Sequence, residues 1–324
     1  MRLSSTLLPL AFVCAAAAQF PEAQIANDAV TAKLYLPDPE KGYYRGTRFD
    51  WSGQIYSLRT LGHEYFGQWF EKYDPKLHDA IMGPVEEFRM NSAGLGYDEA
   101  SPGGTFIRIG VGVVRKPEEP RSQNFRTYDI VDHGRWEVKP GRDRIEFTHH
   151  LRDQSGYGYR YTKIIRLVKN APEMVIEHTL RNTGTKPIET FQYNHNFFVI
   201  DGQPTGPAAS VKFLFDLQAV RPIPADLAAL RGSEVTYLRE LERGQSVFTE
   251  LKGYGSSASD YDVRIENSAA GAGVRITGDR PIARLVYWSI RTTLCPEPYI
   301  ELKVEPGQET KWTYTYQFYR LGGK

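Results

Sequence analysis

One side chain in this 324-residue chain stands out as a candidate for acid–base chemistry, a histidine, and one glutamate stands out by its setting. His195 sits in Phe191-Gln192-Tyr193-Asn194-His195-Asn196-Phe197-Phe198, at the end of an apolar–polar alternation and just before Asp201-Gly202. A polar Asn-His-Asn among aromatics is expensive to bury without partners. It reads either as a hydrogen-bonded core imidazole or as an acid, or ligand-orienting group, on a sheet edge flanked by stacking rings. Glu297 lies between Pro296 and Pro298. Prolines fix the backbone and remove donors, which suits a rigid loop presenting one side chain. The remaining histidines are His63, His78, His133, His149, His150 and His178. His149 and His150 are adjacent, so in a strand their rings point to opposite faces and cannot converge on a metal. There is no His-Glu-x-x-His, no P-loop, no dinucleotide fingerprint and no Gly-x-Ser-x-Gly elbow. No metal and no cofactor are expected.

The elements that must position these groups are strands. Apolar and polar residues alternate over Thr105–Val114, Arg144–His149, Tyr159–Val168, Met174–Arg181, Val211–Leu217, Arg284–Ile290 and Thr310–Tyr319. Asn170-Ala171-Pro172, Asn182-Thr183-Gly184 and Asp201-Gly202 read as turns. Gly110-Val111-Gly112 falls inside a strand pattern and reads as structural. Helical signals are confined to Tyr65–Tyr73 and Pro224–Arg231. Many strands without intervening helices predict an all-β fold, a large antiparallel sandwich.

Composition sets the remaining bounds. The chain is 41% hydrophobic and 24% charged, as expected for a globular protein and not for a disordered one. Forty Lys+Arg against 39 Asp+Glu, with no basic cluster, argue against a nucleic-acid partner. Arg2, the apolar run Leu7–Val13 and Ala16–Ala18 form the three parts of a secretory signal, with cleavage expected after Ala18. The run is too short to span a bilayer, so no membrane insertion is expected. Phe12 and Val13 precede Cys14 where a lipoprotein signal needs a small residue. The expected organisation is a signal peptide (1–18), an N-terminal extension (19–34) and one domain (35–322), in a secreted or periplasmic protein. Cleavage leaves Cys295 alone, which excludes an internal disulfide and a zinc–thiolate site. Oligomeric state is left open.

Met174-Val175-Ile176-Glu177-His178-Thr179-Leu180-Arg181-Asn182-Thr183-Gly184, followed by Asn194-His195-Asn196-Phe197-Phe198, resembles the aldose 1-epimerases (galactose mutarotases). Other segments fall into the same order. Arg48-Phe49-Asp50-Trp51-Ser52-Gly53-Gln54-Ile55 is similar to the segment whose Arg binds the sugar. Leu77-His78 with Gly83-Pro84-Val85-Glu86-Glu87-Phe88 is similar to the segment with a second sugar-binding His. Tyr261-Asp262-Val263-Arg264-Ile265 looks like the segment whose Asp contacts substrate. Leu294-Cys295-Pro296-Glu297-Pro298, with Val304-Glu305-Pro306-Gly307-Gln308 and Thr313–Phe318, resembles the ending that supplies the catalytic base. The resemblance implies a β-supersandwich with a sugar cleft. It also implies Glu297 as base, His195 as acid, and Arg48, His78 and Asp262 as substrate contacts, with a sugar or glycan as partner. The chemistry it implies is anomer interconversion by an ionised Glu and a protonated His, without a cofactor.

The sequence departs from the family in several places. Asp79-Ala80 stands where the family has Gly-Gly, Val263 replaces a His, and Pro298-Tyr299-Ile300 follows the Glu. Asp260 competes with Asp262, and Glu301 with Glu297. Trp51, Tyr193, Phe197, Phe198, Trp288 and Tyr299 are candidates for a sugar-stacking platform. Two alternatives stay open: a non-catalytic carbohydrate-binding protein, or a polysaccharide lyase or glycosidase on the same fold. A glycosidase needs two carboxyl groups about 5–9.5 Å apart, from Glu297 with Asp262 or Glu301.

Overall fold

The computed structural model describes residues 20–89, 93–118 and 125–322. The expected signal peptide lies outside the described residues. Strands β1 (Glu22–Ala26), β2 (Val30–Tyr35), β3 (Gln54–Thr60) and β4 (His63–Glu64) form a four-stranded sheet. Strand β5 (Val85–Arg89) follows, then a meander of β6 (Thr105–Arg108), β7 (Gly112–Arg115) and β8 (Ile130–Asp132). Next come β9 (Arg135–Pro140), β10 (Arg144–Arg152), β11 (Gly158–Leu167), β12 (Glu173–Asn182) and β13 (Ile188–His195). The chain continues through β14 (Ala209–Lys212), β15 (Gln218–Ala219), β16 (Ala228–Arg231), β17 (Glu234–Tyr237) and β18 (Ser246–Lys252). It closes with β19 (Asp262–Asn267), β20 (Ala272–Gly278), β21 (Arg284–Ile290), β22 (Thr293–Val304) and β23 (Glu309–Arg320).

Two large antiparallel sheets face each other. One has ten strands in the order β16-β17-β14-β19-β20-β23-β12-β11-β10-β9, the other six in the order β15-β18-β21-β22-β13-β5. Their inner faces follow the two-residue period of a strand. Met174, Ile176 and Leu180 of β12 are buried, as are Trp312, Tyr314, Tyr316 and Phe318 of β23. Gln192 and Asn194 of β13 face them: Tyr314 Oη donates to Gln192, and Asn194 Nδ2 donates to Tyr316 Oη at 3.1 Å. The all-β expectation is met, in two large antiparallel sheets packed face to face.

A polar cluster is sealed between the sheets. Lys163 of β11 is fully buried and pairs with Glu86 of β5, while its Nζ also donates to Ser52 O at 2.9 Å. His178 Nε2 stands 3.1 Å from Glu86 Oε1, and Asp50 Oδ2 lies 4.0 Å from Lys163 Nζ. Burial, with Glu86 adding to it and Lys163 opposing it, pushes Asp50 up to about 7. Strand β5 thus turns Glu86 into the sandwich and Glu87 outward.

Four local expectations are corrected. Of the expected extension, the described residues 20–34 belong to the domain, because β1 and β2 place Ile25, Val30, Ala32 and Leu34 in the main core. Thr105–Val114 is not one strand but a tight hairpin of β6 and β7. Gly110 turns it at φ +77°, and a Cβ there would meet Asp50 Oδ1 at 2.5 Å. Val211–Leu217 is strand only as far as Lys212, where β14 ends. No α-helix occurs among the described residues: Tyr65–Tyr73 is irregular, and Pro224–Arg231 is a turn leading into β16.

Candidate active site on the six-stranded sheet

The outer face of the six-stranded sheet carries a cleft of about 710 Å³. Residues of one parity line it: Tyr193 and His195 from β13, Glu297 and Tyr299 from β22, Arg284 and Trp288 from β21. The register explains their approach. Tyr193 pairs with Tyr299, and the isolated bridge Phe198–Leu294 keeps the same register further on. His195 and Glu297 are therefore partners across the two strands.

Between those two pairings the ladder is open, and the prolines are the reason. Even-numbered carbonyls of β22 point to β13: Leu294 O accepts from Phe198 N at 3.3 Å, and Pro296 O from Asn196 Nδ2 at 2.9 Å. Pro296 and Pro298 have no N–H to offer on that edge. The Asn196 side chain replaces one missing ladder bond. Glu297 thus belongs to a long strand and not to the loop expected from its prolines. The same prolines open the site at its floor.

His195 Nε2 and Glu297 Oε1 are 3.2 Å apart, with both side chains 5% exposed. Phe197 stacks on the imidazole at 3.9 Å, while Phe49 and Trp288 meet it edge-on at 5.7 and 5.6 Å. Its Nδ1 is buried without a hydrogen-bond partner among the described residues. Burial, reinforced by the charge of Arg48, holds His195 well below its ordinary value. Burial pushes Glu297 up to about 8, with Arg48 opposing it and Glu87 and Asp79 adding to it. Near neutral pH the pair therefore holds one proton, on the carboxyl. The resemblance implied the opposite placement, an ionised Glu beside an imidazolium. Desolvation reverses it, because both charges are costly in this setting.

Arg48 forms the adjoining wall. Its guanidinium lies 4.4 Å from the ring centres of both Phe49 and Phe125. Nε bonds Glu87 Oε2 at 2.9 Å, Nη1 pairs with Asp79, and Nη2 reaches Tyr193 Oη at 3.3 Å. Tyr193 in turn donates to Glu87. Burial raises Glu87, but Arg48, Arg108 and Arg89 outweigh it and hold that carboxyl below its ordinary value. Glu87 is thus the fixed anion that anchors Arg48 and Tyr193.

The structure brings together His195, Glu297 and Arg48, and leaves two expected contacts outside. His78 stacks on Phe125 and bonds Asp79 from behind, Nε2 to Oδ2 at 2.9 Å. Its neighbour Asp79, not His78, reaches the cleft wall. Asp262 is further away, at the start of β19 in the ten-stranded sheet. Arg275 holds it through Nε at 2.9 and 3.0 Å and through Nη2. Asp260 bonds Gly255 N at an exposed turn. Glu301 lies two residues beyond Tyr299, exposed and outside the wall. Among the platform candidates, Tyr193, Trp288 and Tyr299 line the cleft, Phe197 backs His195, and Trp51 and Phe198 are core. Sequence reading missed Asp79, Glu250, Lys252 and Arg284. Asp79 was signalled only by adjacency to His78. The other three converge across strands and leave no linear motif. Among the described residues no three His, Cys, Asp or Glu side chains form a metal-ligand group. Since Asp262 pairs with a half-exposed arginine, Asp262→Asn should cost no more than about 1 kcal/mol of stability in urea unfolding, and a larger loss would show that the pair holds the sheet.

No protein-family model and no curated protein matches the chain. Solved structures do. A putative aldose 1-epimerase from Escherichia coli K12 aligns with TM-score 0.57 and 12% identity, over 93% of this chain and 99% of that one. An aldose epimerase homologue from C. elegans gives 0.56 and 14%, over 94% and 99%. A galactose 1-epimerase from Lactobacillus acidophilus gives 0.54 and 12%, over 93% and 95%. The chain has the fold of the galactose mutarotase-like proteins.

Proposed function

We propose that this protein interconverts the anomers of an aldose, with Glu297 and His195 moving the protons. The observation that carries the reading is that both groups stand on the floor of one open cleft, each 5% exposed. Ring opening takes the proton from the anomeric hydroxyl and gives one to the ring oxygen, as the C1–O5 bond breaks and C1–O1 becomes a carbonyl. Rotation about C1–C2 presents the other carbonyl face. Closure then reverses both transfers and returns the pair to its starting state.

Such a cycle needs one proton shared by two groups. Two protons leave no acceptor, and none leaves no donor. Ionised Glu297 with protonated His195, and the neutral pair favoured by burial, hold the same proton count and differ only in which group carries the proton. In the charged form Glu297 takes the hydroxyl proton and His195 protonates the ring oxygen. Arg48 and Asp79 offer a donor and an acceptor to sugar hydroxyls. The extra carboxyls weighed for a glycosidase, Asp262 and Glu301, stand outside the cleft wall. The signal-like residues 1–18 support a site of action outside the cytoplasm.

The test is anomer exchange by NMR on a panel of hexoses, pentoses and uronic acids, followed across pH. Exchange should fall above about pH 8, where Glu297 gives up the shared proton. On the acid side it should persist below the ordinary histidine range, because His195 resists protonation. Absence of acceleration with every sugar would sink the proposal. A profile flat well beyond the alkaline limb would remove Glu297 from it.

A further inference from the structure

The cleft extends well past the His195–Glu297 pair. At about 710 Å³ it falls in the range that holds a drug-sized ligand, several times the space of one pyranose ring. Beyond Glu297 the floor drops to the small Val286 of β21 and then meets β18, where Phe248, Glu250 and Lys252 line the same cleft. Two strand spacings, about 10 Å, separate β18 from Glu297. That is the reach from the anomeric carbon of one ring to the ring linked at its far side.

The groups on this shelf suit a second sugar. Phe248 is 49% exposed and belongs to none of the hydrophobic clusters, so packing does not account for it. It stands directly across from Trp288, the ring edge that touches His195. Beside it, Glu250 accepts from Arg284 Nε at 3.0 Å and pairs with Lys252 Nζ at 2.9 Å. An exposed aromatic face next to a fixed array of charged donors and an acceptor is the chemistry that recognises a sugar ring and its vicinal hydroxyls.

We propose that the cleft takes the reducing end of an oligosaccharide, with the terminal ring over His195 and Glu297 and the next ring on Phe248, bonded through Glu250 and Lys252. The placement of the terminal ring rests on the proposed function. The second-ring shelf rests on β18 alone.

The experiment compares cellobiose, maltose, 1,4-galactobiose, 1,4-mannobiose and xylobiose, each against its own monosaccharide, by titration calorimetry and by anomer exchange. One disaccharide should bind at least about tenfold tighter than its monosaccharide. Phe248→Ala should reduce that ratio to within about twofold, and Lys252→Ala should lower it in the same direction. Disaccharides that bind no tighter than their monosaccharides, a ratio that survives Phe248→Ala, or no binding by any sugar would each overturn the inference. The two readings fail separately. Monosaccharide exchange without a disaccharide gain sinks the shelf alone, whereas disaccharide binding without exchange keeps the shelf and sinks the epimerase.

Discussion

On the proposed function, Glu297→Gln should slow anomer exchange by about 10²–10⁴ while leaving the protein folded, the range one positioned acid or base contributes. The amide keeps the shape of the carboxyl and its approach to His195 but holds no exchangeable acid proton. His195→Asn should cost a similar factor. The double variant should cost far less than the product, because the two groups pass one proton between them. A stability measurement separates this from misfolding. Glu297 has a folded pKa of about 8 against an ordinary 4.5, so the unfolded chain releases its proton several pH units earlier. The group's contribution to stability is full below about pH 4.5 and is lost as pH rises through 8. Gln removes that loss. Glu297→Gln should therefore melt higher than wild type near pH 8 and lose this advantage under acid conditions. An inactive variant that also melts lower at pH 8 would point to a damaged strand, not to a missing proton.

Lys163→Met destabilises the fold by about 3–5 kcal/mol, the cost of breaking a buried pair from one side. Its ammonium is the cation sealed among Glu86, Asp50 and Ser52, and its removal strands carboxyl groups that water cannot reach. His178 is a poor substitute, since burial lowers its pKa despite the bond to Glu86. Urea unfolding monitored by tryptophan fluorescence measures the loss. Adding Glu86→Gln to Lys163→Met should recover part of it, which a merely cavity-forming substitution would not allow. A single variant within about 1 kcal/mol of wild type would show that the cluster is not held by the lysine.

Much of this was legible in the chain. Alternation located β11, β12, β21 and β23 to within a residue or two, because the two-residue period survives along most of each. The facing of His195 toward the cleft was legible for a different reason. Asn194-His195-Asn196 places two amides toward the sandwich and one imidazole toward the cleft, a pattern that a uniform core strand lacks. Other features lay beyond a linear reading. The prolines around Glu297 suggested a loop because proline is rare in a central strand, yet here the neighbouring strand needs no donor from them. His78 and Asp262 were assigned by order along the chain. A one-residue change of facing hands the cleft to Asp79, and a change of sheet gives Asp262 to Arg275. Tyr65–Tyr73 suggested a helix from composition, but rings such as Trp69 are claimed by the packing around Phe197 and Trp288.

The position of β23 imposes a timetable on folding. It follows every other strand in chain order, yet it lies in the middle of the ten-stranded sheet, hydrogen-bonded to β20 on one side and β12 on the other. The two halves of that sheet have no common border until it arrives, and Trp312, Tyr314, Tyr316 and Phe318 bring a large part of the inner face with them. A ribosome that has made everything up to Glu305 has produced two half-sheets with open edges, each a template for mispairing. The keystone is laid last, and the ten-stranded sheet can close only after synthesis has passed Arg320.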